Sequence, residues 1–194
     1  KEGYTWSDGT AGAKSTTWKI GRASLAVPTV SGTLTYTGSA QSPAWNNYDS
    51  GKLTIGGTNS ATDAGSYNAT FTPASNYQWN DGSADARSVN WSIGKAAGNL
   101  TLSESSIELT VTSLTKTVTV NRAGDGAISA TSNDTSTAKV EVVSGGVQIT
   151  GLKTGSAKIT VKVAAGTNHT APADKTIDVT VEMANPILTE NTPA

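Results

Sequence analysis

The 194-residue chain is predicted to be all-β, and three features of its sequence say so. The first is a two-residue period. Ile107, Leu109 and Val111 alternate with Glu108 and Thr110, and Ile177, Val179 and Val181 alternate with Asp178, Thr180 and Glu182. That is the pattern of strands with one buried and one wet face. The second is punctuation by turn-forming pairs, namely Asp8-Gly9, Gly56-Gly57, Asp81-Gly82, Asp125-Gly126 and Gly145-Gly146. The third is that no stretch carries a 3.6-residue apolar period, which leaves nothing to build an amphipathic helix from.

The first half is organised by a repeat. Tyr4-Thr5-Trp6-Ser7-Asp8-Gly9 returns as Tyr77-Gln78-Trp79-Asn80-Asp81-Gly82, and Trp18-Lys19-Ile20-Gly21-Arg22-Ala23 returns as Trp91-Ser92-Ile93-Gly94-Lys95-Ala96. The offset is 73 throughout, and eleven of the twenty positions from Tyr4 to Ala23 are identical. A gapless fixed offset marks tandem modules. Residues 24–96 are therefore expected to be one complete repeat, and 1–23 the closing strand of a preceding repeat, with a strand at 15–20 and with Trp18 and Trp91 facing inward; because a 73-residue period has no built-in start, the alternative is a permuted border with Tyr4–Ala23 in the fold that follows. Within 24–96, Tyr67, Ala69 and Phe71 alternate, as do Val89, Trp91 and Ile93.

A change of composition near Ala97-Gly98 sets the next border. All five Trp, all five Tyr and Phe71 lie in 1–96, whereas Val and Ile number six in 1–96 and seventeen in 97–194. One core would not sort large rings from β-branched aliphatics in this way, so 97–184 is expected to be a separate module. Its alternating runs centre on 107–111, 117–122, 127–131, 138–143, 147–150, 157–163 and 176–182. About seven short strands is the count of an immunoglobulin-like sandwich. With no Cys the inter-sheet disulfide is excluded, so aliphatic burial must hold this core. The expected architecture is thus tandem immunoglobulin-like β-sandwiches. Residues 185–194, with Asn185-Pro186-Ile187, break the alternation and read as a linker to a following domain.

Two stretches carry a resemblance. Ser129-Ala130-Thr131-Ser132-Asn133, Ala138-Lys139-Val140, Gly151-Leu152-Lys153-Thr154-Gly155 and Ala157-Lys158-Ile159-Thr160-Val161 resemble the bacterial Ig-like group 2 domain. Gly151 and Gly155 are expected to flank a tight turn at positive φ. Leu34-Thr35-Tyr36-Thr37-Gly38-Ser39-Ala40-Gln41 and Asp63-Ala64-Gly65-Ser66-Tyr67, together with the strand ending at Ala96, resemble the MBG type of bacterial Ig-like repeat. The resemblance implies display, spacing and adhesion outside the cell, on a bacterial surface or a phage virion. The partners it implies are neighbouring domains of a larger protein; the alternative function, an adhesin that binds surface glycans or a host receptor, would use the loop aromatics.

Composition narrows the function classes. Charged residues make up 15% of the chain, against about 25% in an average soluble protein. A net charge of −1 supplies no footprint for nucleic acid. No run of about 18 apolar residues exists to insert in a membrane. The chain opens at Lys1-Glu2-Gly3 rather than at Met and reads as an internal piece of a longer protein. His169 is the only His, and Thr167-Asn168-His169-Thr170 has no nucleophile turn beside it, so it reads as a solvated loop residue. The acids are scattered over turns and outer strand faces. No enzymatic activity, cofactor or metal is expected. The candidate ligand contacts are Trp45 and Tyr48, on the polar loop Pro43-Ala44-Trp45-Asn46-Asn47-Tyr48-Asp49, and Trp79, placed half-exposed at a strand end before Asn80-Asp81-Gly82.

Overall fold

The computed structural model describes residues 3–110 and 112–182. Every regular element among them is a strand, sixteen in all. They build two separate clusters of buried side chains, one lined with rings and one with aliphatics.

The aromatic cluster is enclosed by eight strands: β1 (Ala23–Leu25), β2 (Thr29–Ser31), β3 (Leu34–Thr35), β4 (Ala44–Asn46), β5 (Leu53–Gly57), β6 (Gly65–Pro73), β7 (Tyr77–Trp79) and β8 (Arg87–Gly94). One sheet runs β3-β8-β6-β5, and two short ladders, β1-β7 and β2-β4, lie outside it. Tyr67 pairs with Trp91 and Phe71 with Arg87 across the β6–β8 ladder. Because strand side chains alternate, Ala69, Phe71, Trp91 and Ile93 are brought into the buried cluster, where Leu53 and Trp79 join them. Gly56-Gly57, expected as a turn, belongs to β5. Gly57 sits at φ 69°, and a Cβ there would meet the Asn68 carbonyl at 2.7 Å, so only glycine allows this ladder to close.

The aliphatic cluster lies between two four-stranded sheets. These are built from β9 (Asn99–Leu102), β10 (Ser106–Thr110), β11 (Thr115–Ala123), β12 (Ile128–Ser132), β13 (Ala138–Val143), β14 (Gly146–Gly151), β15 (Gly155–Val163) and β16 (Lys175–Glu182). The sheets run β10-β16-β15-β12 and β13-β14-β11-β9. The chain enters along the edge of one sheet as β9, crosses to the other as β10, and there lies parallel to the last strand, β16. With β9 and β10 as the two halves of a split first strand, β11, β14 and β13 form one sheet, and β12, β15 and β16 the other. This is the strand order of the immunoglobulin fold, recognised here from pairing alone. Val118 on β11 and Val161 on β15 are completely buried in one continuous cluster with Ile149, Ile159 and Val179. Each expected run falls within or against a strand; β9, whose four residues are too few to show a period, is additional.

Two expectations are corrected. Residues 15–20 form no strand, and Trp18 is 78% exposed rather than inward. A strand exists through its partners, and this one lacks the counterparts of β6 and β3 that sandwich β8. Gly155 does adopt positive φ, at 150°, but Gly151 does not. Gly151 is instead closely packed: a Cβ would come within 3.0 Å of Val181 and 3.3 Å of Leu109, whose side chains would have to give way. Residues 185–194, read as a linker, lie outside the described residues.

Candidate functional site

The three aromatic candidates are packed to different depths. Trp79 is completely buried. It pairs with Leu25 in the β1–β7 ladder, and the tight turn after it folds its indole N–H onto the Asp85 carbonyl at 2.8 Å. The half-exposed placement expected for Trp79 is therefore corrected: a parallel partner strand covers a ring that its polar flank, Asn80-Asp81-Gly82, had placed at the surface. Trp45 and Tyr48 are half-buried and turned to Phe71, with ring centroids 4.9 Å and 5.6 Å away. Asn47 between them sits at φ 60°, a conformation Asn tolerates, and turns the loop there.

The polar groups that do converge lie where the two clusters meet. Only four residues, 95–98, separate β8 from β9. The connection between β15 and β16 returns to this point and carries Gly166-Thr167-Asn168-His169-Thr170. Its backbone is fixed first. Ala96 N–H donates to the Asn168 carbonyl at 2.9 Å, and Thr170 N–H donates to the Ala96 carbonyl at 2.9 Å. The Asp125 carboxylate, from the turn between β11 and β12, accepts the Asn168 N–H at 3.0 Å and meets His169 Nδ1 at 3.2 Å. The Asn168 N–H chiefly, with the His169 ring and the Thr167 N–H adding to it, lowers the Asp125 pKa from 3.8 to about 2. An ionised carboxylate only accepts, so Nδ1 of His169 carries a proton.

With the loop held, the Asn168 amide reaches the other cluster. Its Oδ1 accepts the Ala64 N–H at 2.7 Å and its Nδ2 donates to Asp63 Oδ1 at 3.0 Å. Both ends of one amide are thereby used across the junction. Lys95 Nζ donates to the Gly166 carbonyl at 2.6 Å. Tyr36 presents an edge-on contact to His169, with centroids 5.3 Å apart and planes at 76°. His169 is thus not a solvated loop residue; its side chain is only 20% exposed, between Asp125 and Tyr36. Chemically the arrangement is a clamp of paired donors and acceptors. Sequence reasoning missed Tyr36, Asp63, Asp125 and Asn168, because they are polar loop residues spread over more than a hundred positions. The one local signal was a lone Asn-His pair in a long connection otherwise built of small residues.

A second surface feature is a shallow depression on the outer side of β6 and β8, rimmed by Ser66, Asn68, Asn90 and Ser92 over Tyr67 and Trp91. Asn68 and Asn90 already bond each other across the ladder at 2.7 Å. Among the described residues no cluster of three or more His, Asp or Glu side chains is placed to hold a metal ion.

No protein-family model matches the chain, and no curated protein sequence matches it. Solved structures do share features with it. Domains 1–6 of the surface layer protein SbsC align at 16% identity and a TM-score of 0.40, over 86% of this chain and 29% of theirs. SbsC domains 4 and 5 align at 16% identity and a TM-score of 0.36, over 82% of this chain and 99% of theirs. The Escherichia coli adhesin FdeC aligns at 16% identity and a TM-score of 0.31, over 87% of this chain and 67% of its own. The chain spans less than a third of the SbsC six-domain structure. At these scores the fold assignment rests on the strand order itself: an all-β chain whose aliphatic sandwich has the immunoglobulin order.

Proposed function

We propose that this chain is a non-catalytic spacer segment of an extracellular protein, displayed on a bacterial surface or a virion. Its two modules, 24–96 and 97–184, meet at a set angle. The observation that carries the proposal is the Asn168 amide, satisfied on one side by Ala64 and on the other by Asp63. Neighbouring domains move relative to one another by default unless something holds them. Here three junction hydrogen bonds that use a side chain, from Ala64, Asn168 and Lys95, add to the two backbone bonds of Ala96; each of the three contributes roughly 1 kcal/mol net, together about 3 kcal/mol. That favours one orientation by about two orders of magnitude without fusing the two cores into one. The resemblance of 129–163 to the bacterial Ig-like group 2 domain and of 24–96 to the MBG repeat supports the extracellular assignment. Adhesion to glycans or a receptor through Trp45, Tyr48 and Trp79 draws no support from rings packed on Phe71 or buried.

The test uses the absence of Cys. Cysteines introduced at exposed strand positions Thr72 and Thr180 accept spin labels without background. A narrow interlabel distance distribution is expected for the parent, and a broader one when Asn168→Ala is combined with Lys95→Ala, which together remove all three side-chain bonds. A parent distribution as broad as the double variant's would overturn the proposal.

A further inference from the structure

The segment 3–22 shares its local structure with the end of the aromatic module but lacks the cover. Trp6 N–H donates to the Thr10 carbonyl at 2.8 Å, as Trp79 N–H does to Ser83 at 2.7 Å. The Trp6 indole reaches the Gly12 carbonyl at 2.6 Å, as that of Trp79 reaches Asp85 at 2.8 Å. Asp8 caps Thr10 and pairs with Lys14; Asp81 caps Ser83 and pairs with Arg87. Lys14 and Arg87 lie 5.4 Å and 5.6 Å from the respective indole rings. Every one of these pairs is displaced by 73 positions. The turn therefore forms from local sequence alone. Burial does not accompany it: Trp79, Trp91 and Ile93 are 0%, 4% and 2% exposed, whereas Trp6, Trp18 and Ile20 are 50%, 78% and 79% exposed.

A second observation fixes how the segment is joined to the aromatic module. Ala23 N–H donates to the Asn76 carbonyl at 3.0 Å, and Ala23 runs parallel beside Tyr77. Ala96, its repeat equivalent, donates to the Asn168 carbonyl at 2.9 Å and runs parallel beside His169. Segment 3–22 thus stands to the aromatic module as β7–β8 and their turn stand to the aliphatic one.

We infer that residues 3–22 are the closing turn and strand of a further module, and that the surface bearing Trp6, Trp18 and Ile20 docks a β-sandwich body of the 24–76 pattern that precedes it in the same polypeptide. That pattern supplies what the exposed side chains need. A β1-like strand would cover Trp6 as Leu25 flanks Trp79. A β6-like strand would pair with 15–20 and set a Tyr against Trp18, as Tyr67 lies against Trp91 at 4.8 Å. A Thr58 equivalent would accept the Trp18 indole N–H, as Thr58 accepts that of Trp91 at 2.7 Å.

The test places a copy of residues 24–76 directly before Tyr4 of the full chain, so that its Asn76 is followed by Tyr4 as it naturally is by Tyr77. Hydrogen exchange is then read on the segment 15–20. A slowing of at least a hundredfold, to the protection of 88–93 in the same molecule, is expected. A second chain, in which the added body keeps its own 77–96, controls for folding at that position. If that module is protected while the one closed by 4–23 leaves 15–20 exchanging freely, the inference is overturned. Protection of 15–20 in the unextended chain that rises with concentration, alongside a dimer mass, would overturn it too by assigning the surface to a second copy.

Discussion

Trp79→Ala and Trp6→Ala form a matched pair, since an indole, the same turn and a cation beside the ring, Arg87 or Lys14, are present in both settings and the main difference is tertiary cover. Trp79 is fully buried in the aromatic cluster, so truncation leaves a cavity as well as lost transfer energy, at about 3–5 kcal/mol. The Asp85 carbonyl loses its indole donor in addition. A module of this size is stable by roughly 4–11 kcal/mol, so the change removes a large part of the total. At about 4–8 °C per kcal/mol for domains of 60–100 residues, the melting temperature falls by ~12 °C or more. Trp6→Ala, on a half-exposed ring outside either cluster, stays within about 0.5 kcal/mol. Calorimetry resolves the two cores, and near-ultraviolet circular dichroism separates them further, because residues 97–194 contain no Trp, Tyr or Phe. The aliphatic transition remains in place in both variants. Equal losses from the two substitutions, or an unmoved aromatic transition in Trp79→Ala, would refute the assignment of core and surface rings.

Trp45→Ala is expected to cost less than Trp91→Ala yet to be measurable in the same melts, since the edge-on pair with Phe71 alone contributes roughly 0.5–1.5 kcal/mol beyond area burial. Asp134 is held at a pKa of about 2, below its ordinary 3.8, first by the Ser136 hydroxyl and then by that of Thr137. Because folding lowers this pKa, the stabilisation is complete above pH ~4 and is lost as the pH falls from about 4 toward 2. Asp134→Ala should therefore melt below the parent at neutral pH and converge with it near pH 2, and Asp125, also at about 2, should contribute in the same window. Gly126→Ala places a Cβ 1.8 Å from the Ala164 carbonyl, and a loss of about 1–3 kcal/mol in the aliphatic transition is expected in chemical denaturation.

Strand identity in 97–182 was legible because β-branched side chains at alternate positions face one apolar interior, a property local sequence encodes fully. The division between ring-filled and aliphatic cores was legible for the same reason, since composition records what each interior is made of. The repeat also disclosed the turns at Asp8-Gly9 and Asp81-Gly82, whose bonds span six residues or fewer. Tertiary structure alone decided what depends on distant partners. Trp18 and Trp91 are the same residue in the same motif, and only the presence of β6 and β3 beside one of them makes it core. Trp79 has polar neighbours, yet β1 covers it. His169 lies in a polar loop, yet it is held between Asp125, 44 residues earlier, and Tyr36. The junction amide of Asn168 meets Asp63 across 105 positions. No local pattern marks such a pair, because a single hydrogen bond constrains two side chains and leaves the sequence around each of them free.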